Sequence, residues 1–113
     1  MKNLMQFGDF RAVISYDPEI ESFRGEFIGL NGGADFYADN AADLKREGEL
    51  SLRAFLDACE RHSIPPKKQY SGKFNLRVSS ELHSQIADLA AANGDSLNKW
   101  IEQALETAIR QAS

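Results

Sequence analysis

The chain has one cysteine, Cys59, so it cannot close an internal disulfide, the staple on which small secreted scaffolds depend. Its three prolines fall at Pro18 and the pair Pro65-Pro66, which leaves long stretches free for regular structure. No apolar run approaches the roughly 20 residues of a membrane helix, and no signal-peptide pattern opens the chain. A reducing cytoplasm is the expected setting, with no membrane contact. There is no Gly-rich phosphate loop and no nucleophile elbow. Cys59, His62 and His83 lack metal-ligand spacing, so a core cysteine and two surface histidines are expected, with no metal and no cofactor.

Charge is present but unevenly placed. The formal net charge is −4, yet residues 1–66 hold 7 Lys/Arg against 12 Asp/Glu, and residues 67–113 hold 6 against 5. Within the second part, Lys67, Lys68, Lys73 and Arg77 all precede the first acidic residue. Such asymmetry implies a different partner for each half.

Residues 1–66 predict an α+β domain in the order β-β-β-α. Phe10 to Asp17 alternates apolar and polar, the pattern of a half-buried strand, and Asp17-Pro18 begins a turn. Ser22 to Leu30 is a second strand, with Phe23, Gly25, Phe27 and Gly29 opposite Arg24, Glu26, Ile28 and Leu30. Asn31-Gly32-Gly33 reverses the chain into a third strand, Ala34 to Ala38. Asp39 or Asn40 caps a helix from about Ala41 to His62, whose stripe of Leu44, Gly48, Ser51, Leu52, Phe55 and Cys59 suits the face of a sheet. Gly48 on that stripe is expected to let the helix approach closely. Asp17, Glu19, Glu21, Glu26, Asp35 and Asp39 could supply carboxylates to a two-metal nuclease. An acidic domain carries that many by composition, and most lie at turns, so the chain is not expected to be an enzyme.

Ile64-Pro65-Pro66 ends the helix, and residues 67–71 read as a polar, basic linker. Beyond it, Gly72 to Val78 alternates again. Phe74, Leu76 and Val78 ask for a core, while Lys73, Asn75 and Arg77 carry donors that match base edges in the major groove. Lys67 and Lys68 are placed to meet phosphates. Ser79 caps a helix to about Ala92 with Leu82, Ile86, Leu89 and Ala90 inward, closed by Asn93-Gly94, and Ser96 opens a last helix with Leu97, Ile101, Ala104, Leu105 and Ala108 inward. A lone strand is not stable, and no sheet mate follows this one. A second copy of the chain would complete it.

Residues 72–109 resemble a ribbon-helix-helix domain in Gly-Lys-Phe-Asn-Leu-Arg-Val, then Ser-Ser-Glu-Leu-His, then Gly-Asp-Ser-Leu-Asn-Lys-Trp-Ile. The resemblance implies a β-α-α domain, 72–113, that dimerises and lays a two-stranded ribbon in the major groove of DNA. It also implies that the backbone N–H groups of Ser96, Leu97 and Asn98 grip a phosphate, as a helix start can.

The chain as a whole resembles HicB-type antitoxins of bacterial type II toxin–antitoxin modules. The residues that carry this are Tyr16-Asp17-Pro18-Glu19, Phe27-Ile28-Gly29-Leu30, Leu44 to Glu49, Leu52 to Leu56, Tyr70 to Arg77, and Ser96 to Ile101. The resemblance implies a partial ribonuclease H-like first domain, 1–66, that covers a HicA-like toxin. Such a toxin is a small basic RNA-cleaving protein with a catalytic histidine. The second domain would repress the module's own operon as a homodimer, higher assembly being left open. A second class remains: a ribbon-helix-helix regulator whose first domain senses a small molecule in an enclosed apolar pocket.

Overall fold

The computed structural model describes residues 3–112, which divide into two units with the break between Ser71 and Gly72. The first unit is a four-stranded antiparallel sheet in chain order: β1 (Leu4–Phe7), β2 (Phe10–Asp17), β3 (Ser22–Ile28) and β4 (Asp35–Ala38). β1 corrects the expected β-β-β-α order to β-β-β-β-α. Its four residues, Leu-Met-Gln-Phe, are too few and too apolar to alternate visibly. Pairing defines it instead: Phe7 faces Phe10 across a two-residue loop, where Gly8 at φ 62° supplies the positive φ that tight hairpins need.

The register of β2 with β3 sets Ala12 against Phe27 and Ile14 against Gly25 on the inner face. Alternation puts Leu30 outward, but Leu30 is buried. Gly29, at φ 73°, ends the strand and turns the next residue into the core. α1 (Ala41–Arg61) covers this inner face with Leu44, Gly48, Leu52 and Cys59 buried. Beneath it the rings of Phe7, Phe27 and Phe36 pack at centroid distances of 5.1, 5.6 and 5.2 Å, in tilted and edge-on pairs. A Cβ on Gly48 would overlap the Phe7 ring, so the close approach needs glycine. Ser51 lies at the rim of the inner stripe, where its Oγ donates to the Asp35 carbonyl at 3.1 Å. On the opposite side of the sheet, Lys45 Nζ donates to the Gln6 carbonyl. One helix thus occupies a carbonyl on each outer strand, which blunts both sheet edges.

The ends of α1 follow from local chemistry. Asn40 Oδ1 accepts the Asp43 N–H at 2.9 Å, and the Asn40 amide donates to the Asp43 carboxylate at 2.9 Å. That bond, with the Arg46 guanidinium at 2.6 Å, holds the Asp43 carboxyl below the usual carboxylate range. A depressed carboxyl stabilises the fold above its ordinary pKa, and the contribution is lost as pH falls through that range. At the other end, the Ile64 N–H donates to the Cys59 carbonyl at 2.9 Å and the Ser63 N–H to that of Glu60 at 3.2 Å. This is a Schellman closure, with Ser63 at φ 54° where glycine is usual.

The second unit contains α2 (Ser80–Ala92) and α3 (Leu97–Ala112). Ser79 Oγ accepts the Leu82 N–H at 3.1 Å, and Ser96 Oγ accepts the Lys99 N–H at 3.1 Å. α2 ends in the same closure as α1, this time with Gly94 at φ 74°. Residues 73–79 form no strand within the single chain, since a strand exists only beside a hydrogen-bonded neighbour. Among the described residues of this unit only Ala90 is buried. Leu82 and Leu89, expected inward, are exposed because two helices cannot cover each other's whole apolar faces. No helix among the described residues is long and apolar enough to cross a membrane.

Two substitutions in α1 should move stability in opposite directions. Gly48→Ala overpacks the Phe7 contact and should cost about 1–3 kcal/mol, despite alanine's better helix propensity. Ser63→Gly relieves a left-handed residue and should add about 1 kcal/mol. Urea unfolding of the full chain checks both.

Candidate functional site

The stretch that alternates in sequence lies along a groove. Phe74, Leu76 and Val78 line a cleft of about 560 Å³ with Ile86 of α2 and Leu97, Ile101 and Leu105 of α3. Lys73 and Arg77 lie outside this lining, as the period of two requires. Asn75 borders the cleft instead, beside the polar residues His83, Asn98 and Glu102. The cleft is not closed: Phe74 keeps 75% of its surface exposed and Leu76 58%. Exposure of that size at consecutive apolar positions is unusual unless something covers them.

The start of α3 adds a second feature. Ser96 Oγ engages the Lys99 N–H, and the Ser96 carbonyl accepts from Trp100 at 3.0 Å. The N–H groups of Leu97 and Asn98 belong to the helix's first turn, which has no intrahelical acceptors and carries the positive end of the dipole.

Lys67 and Lys68 sit elsewhere. The expected linker began at residue 67, but the backbone there is tied to the first unit. The Asn31 N–H donates to the Pro66 carbonyl at 2.8 Å, and the Lys68 N–H donates to the Gly29 carbonyl at 2.9 Å. The Asn31 side-chain amide donates to the Pro65 carbonyl at 3.2 Å. Lys67 Nζ lies 5.3 Å from the Phe10 ring centroid, and Lys68 Nζ 5.6 Å from that of Tyr70. The turn after β3 leaves backbone groups to satisfy, and an extended proline pair offers two carbonyls. Asn31 reads as a turn residue in the sequence. Its second role spans 34 positions, and no local signal announces it.

The carboxylates singled out in the sequence are mostly engaged. Asp35 and Glu26 lie 2.6 and 3.4 Å from the Arg24 guanidinium, and Asp35 chiefly holds that group above its ordinary pKa. Asp17 Oδ1 accepts the Glu19 N–H at 3.0 Å, and Asp39 Oδ1 accepts from the Asn40 amide at 2.8 Å. Among the described residues, no group of three or more His, Cys, Asp or Glu is placed to hold a metal ion. The first unit has a groove of about 380 Å³ over Phe7, Leu52 and Leu56, rimmed by Lys45, Glu49, Arg53 and Asp57. It opens to solvent and does not enclose a ligand.

The HicB family model matches residues 55–105, from the last turns of α1 through the groove to Leu105. The match supports a HicB-type protein. No curated protein and no solved structure matches the chain. The match suggests an antitoxin-type function, and the family implies a toxin partner in a toxin–antitoxin module. The matched span takes in the whole apolar groove, whereas the strands of the first unit lie outside it.

Leu76 gives a test of whether the groove is covered in solution. An exposed leucine can be cut to alanine within about 0.5 kcal/mol. A buried one costs about 2–5 kcal/mol. Leu76→Ala is expected at the higher value, read from thermal unfolding followed by Trp100, which reports the second unit.

Proposed function

We propose that this HicB-type chain is an antitoxin with two surfaces. Its first unit binds and silences a small basic RNA-cleaving toxin, and its second unit pairs with a copy of itself to repress the operon that encodes both. One observation carries the reading: the second unit exposes Phe74, Leu76 and Val78 on an open apolar groove and buries only Ala90 of its own. Antiparallel pairing of two such segments gives each strand the neighbour that it lacks and covers both grooves at once.

Drawn out as a paired strand, the segment alternates fully, so Asn75 turns from the border of the groove to join Lys73 and Arg77 on the outer side of a two-stranded ribbon, which the major groove of DNA admits. Arg77 and Lys73 match guanine O6 and N7, and Asn75 matches adenine N6 and N7. The start of α3, at Ser96, Leu97 and Asn98, takes a phosphate. Lys67 and Lys68, tied to the first unit, add sequence-independent attraction to phosphate. The first unit works by binding rather than by cleavage: its acidic residues take the place of RNA phosphate on a basic surface.

Asn75→Ala is the discriminating change. A bidentate base contact is worth roughly 1–3 kcal/mol, so operator affinity should fall about ten-fold or more. Affinity for a scrambled duplex should hardly change. Substituting Lys67 and Lys68 should weaken both duplexes and flatten the salt dependence. Rescue of growth from the toxin should survive all three changes. Operator binding by Asn75→Ala at the parent's affinity would remove the ribbon as the reading head.

A further inference from the structure

The first unit offers a partner two places: the open groove over Phe7, Leu52 and Leu56, whose rim balances Lys45 and Arg53 against Glu49 and Asp57, and the uncovered face of the sheet. α1 fills the inner face of the sheet, and its Lys45 and Ser51 occupy carbonyls on β1 and β4. The other face is bare. The pairing registers set Leu4 beside Val13, Val13 beside Glu26, and Glu26 beside Asp35 in one row across the four strands. Ile28 lies diagonal to Val13, close enough for side chains to meet. Tyr37 stands opposite Arg24 in the next row.

Val13, Ile28 and Tyr37 keep 41%, 38% and 48% of their surface exposed. Between the aliphatic strip and the tyrosine runs the Arg24–Glu26–Asp35 ion network. An apolar patch set with arginine and tyrosine has the composition of an interface core. The charge on this face is also directional. The guanidinium of Arg24 is committed to its two carboxylates, and Asp17 adds a third carboxylate at the β2–β3 end. Glu19 and Glu21 extend that end beyond the sheet. Arg11, opposite Ile28, is a second guanidinium on this face, but the five carboxylates outnumber the two, which suits a basic partner.

We infer that the open face of the first unit's sheet, centred on Val13, Ile28 and Tyr37, is the surface that receives the basic toxin. This rests on the antitoxin reading and names the surface through which it works. Charge on the partner meets Glu26, Asp35 and the acidic β2–β3 end, while apolar side chains cover the strip. The outward face of α1, with Leu50 exposed on it, takes no part.

The test reads the genes flanking this one for a small basic protein and titrates that protein, as probe, against the full chain by calorimetry. Ile28→Lys and Tyr37→Ala should each weaken binding about ten-fold or more, as central interface positions do. Leu50→Lys makes the same change of charge on α1 and should bind as the parent does. All three should unfold at the parent's temperature and keep its operator affinity, which separates a lost surface from a lost fold. Parent-like binding by both sheet variants, or a loss confined to Leu50→Lys, overturns the inference and leaves the antitoxin reading standing. A sheet variant that changes the sedimenting mass of the free chain would make this face a contact between copies, which also overturns it. If the parent itself does not bind the probe, the antitoxin reading falls and the inference falls with it.

Discussion

The second unit has too little of itself to bury. Among the described residues, two helices and one alternating segment leave a single buried residue, Ala90, and an apolar groove with Phe74 and Leu76 open to water. Domains of roughly 40 residues seldom hold a fold without a disulfide, a metal or a partner. Cys59 is the only cysteine and lies in the other unit, and among the described residues no group is placed to hold a metal ion, which favours a partner. On the proposed pairing, folding of this unit and association of two chains become one equilibrium. In the proposed repressor, the concentration of the protein would then set how much reading surface exists.

The first unit meets the same size limit by different means. Three phenylalanines stack beneath α1, and Gly48 lets the helix come down onto them. Its edges are closed by side chains rather than by more strands, since Lys45 and Ser51 reach carbonyls on β1 and β4. A bound carbonyl on each outer strand makes edge-to-edge pairing less favourable. On the open face of the sheet, Arg24 is held between Glu26 and Asp35. On the proposed reading the two units divide the work: one offers a surface, and the other needs a copy.

How much of this was legible depended on distance along the chain. β2, α1, α2 and α3 were readable because their apolar residues repeat at a period of 2 or 3.6 and their caps are local, as at Asn40, Ser79 and Ser96. β1 was not, because four residues cannot show a period and only pairing with Phe10–Val13 defines it. Leu30 misled because one positive φ at Gly29 changed which side it faces. The tie from Pro65, Pro66 and Lys68 to Gly29 and Asn31 was invisible, being made of backbone groups and one side-chain amide brought together by the fold. Among the candidate site residues, the alternation placed Phe74, Leu76 and Val78 on the groove. It did not show that Asn75 would border the groove as well.

The dependence of the second unit on a second copy is the claim on which the DNA-reading half of the account stands. Sedimentation equilibrium of the full chain across a dilution series, with helical circular dichroism recorded at each concentration, tests it most directly. The account predicts twice the chain mass at micromolar concentration, and a loss of helical signal that tracks the fall in mass on dilution. A particle of single-chain mass that keeps its full helical signal would contradict it.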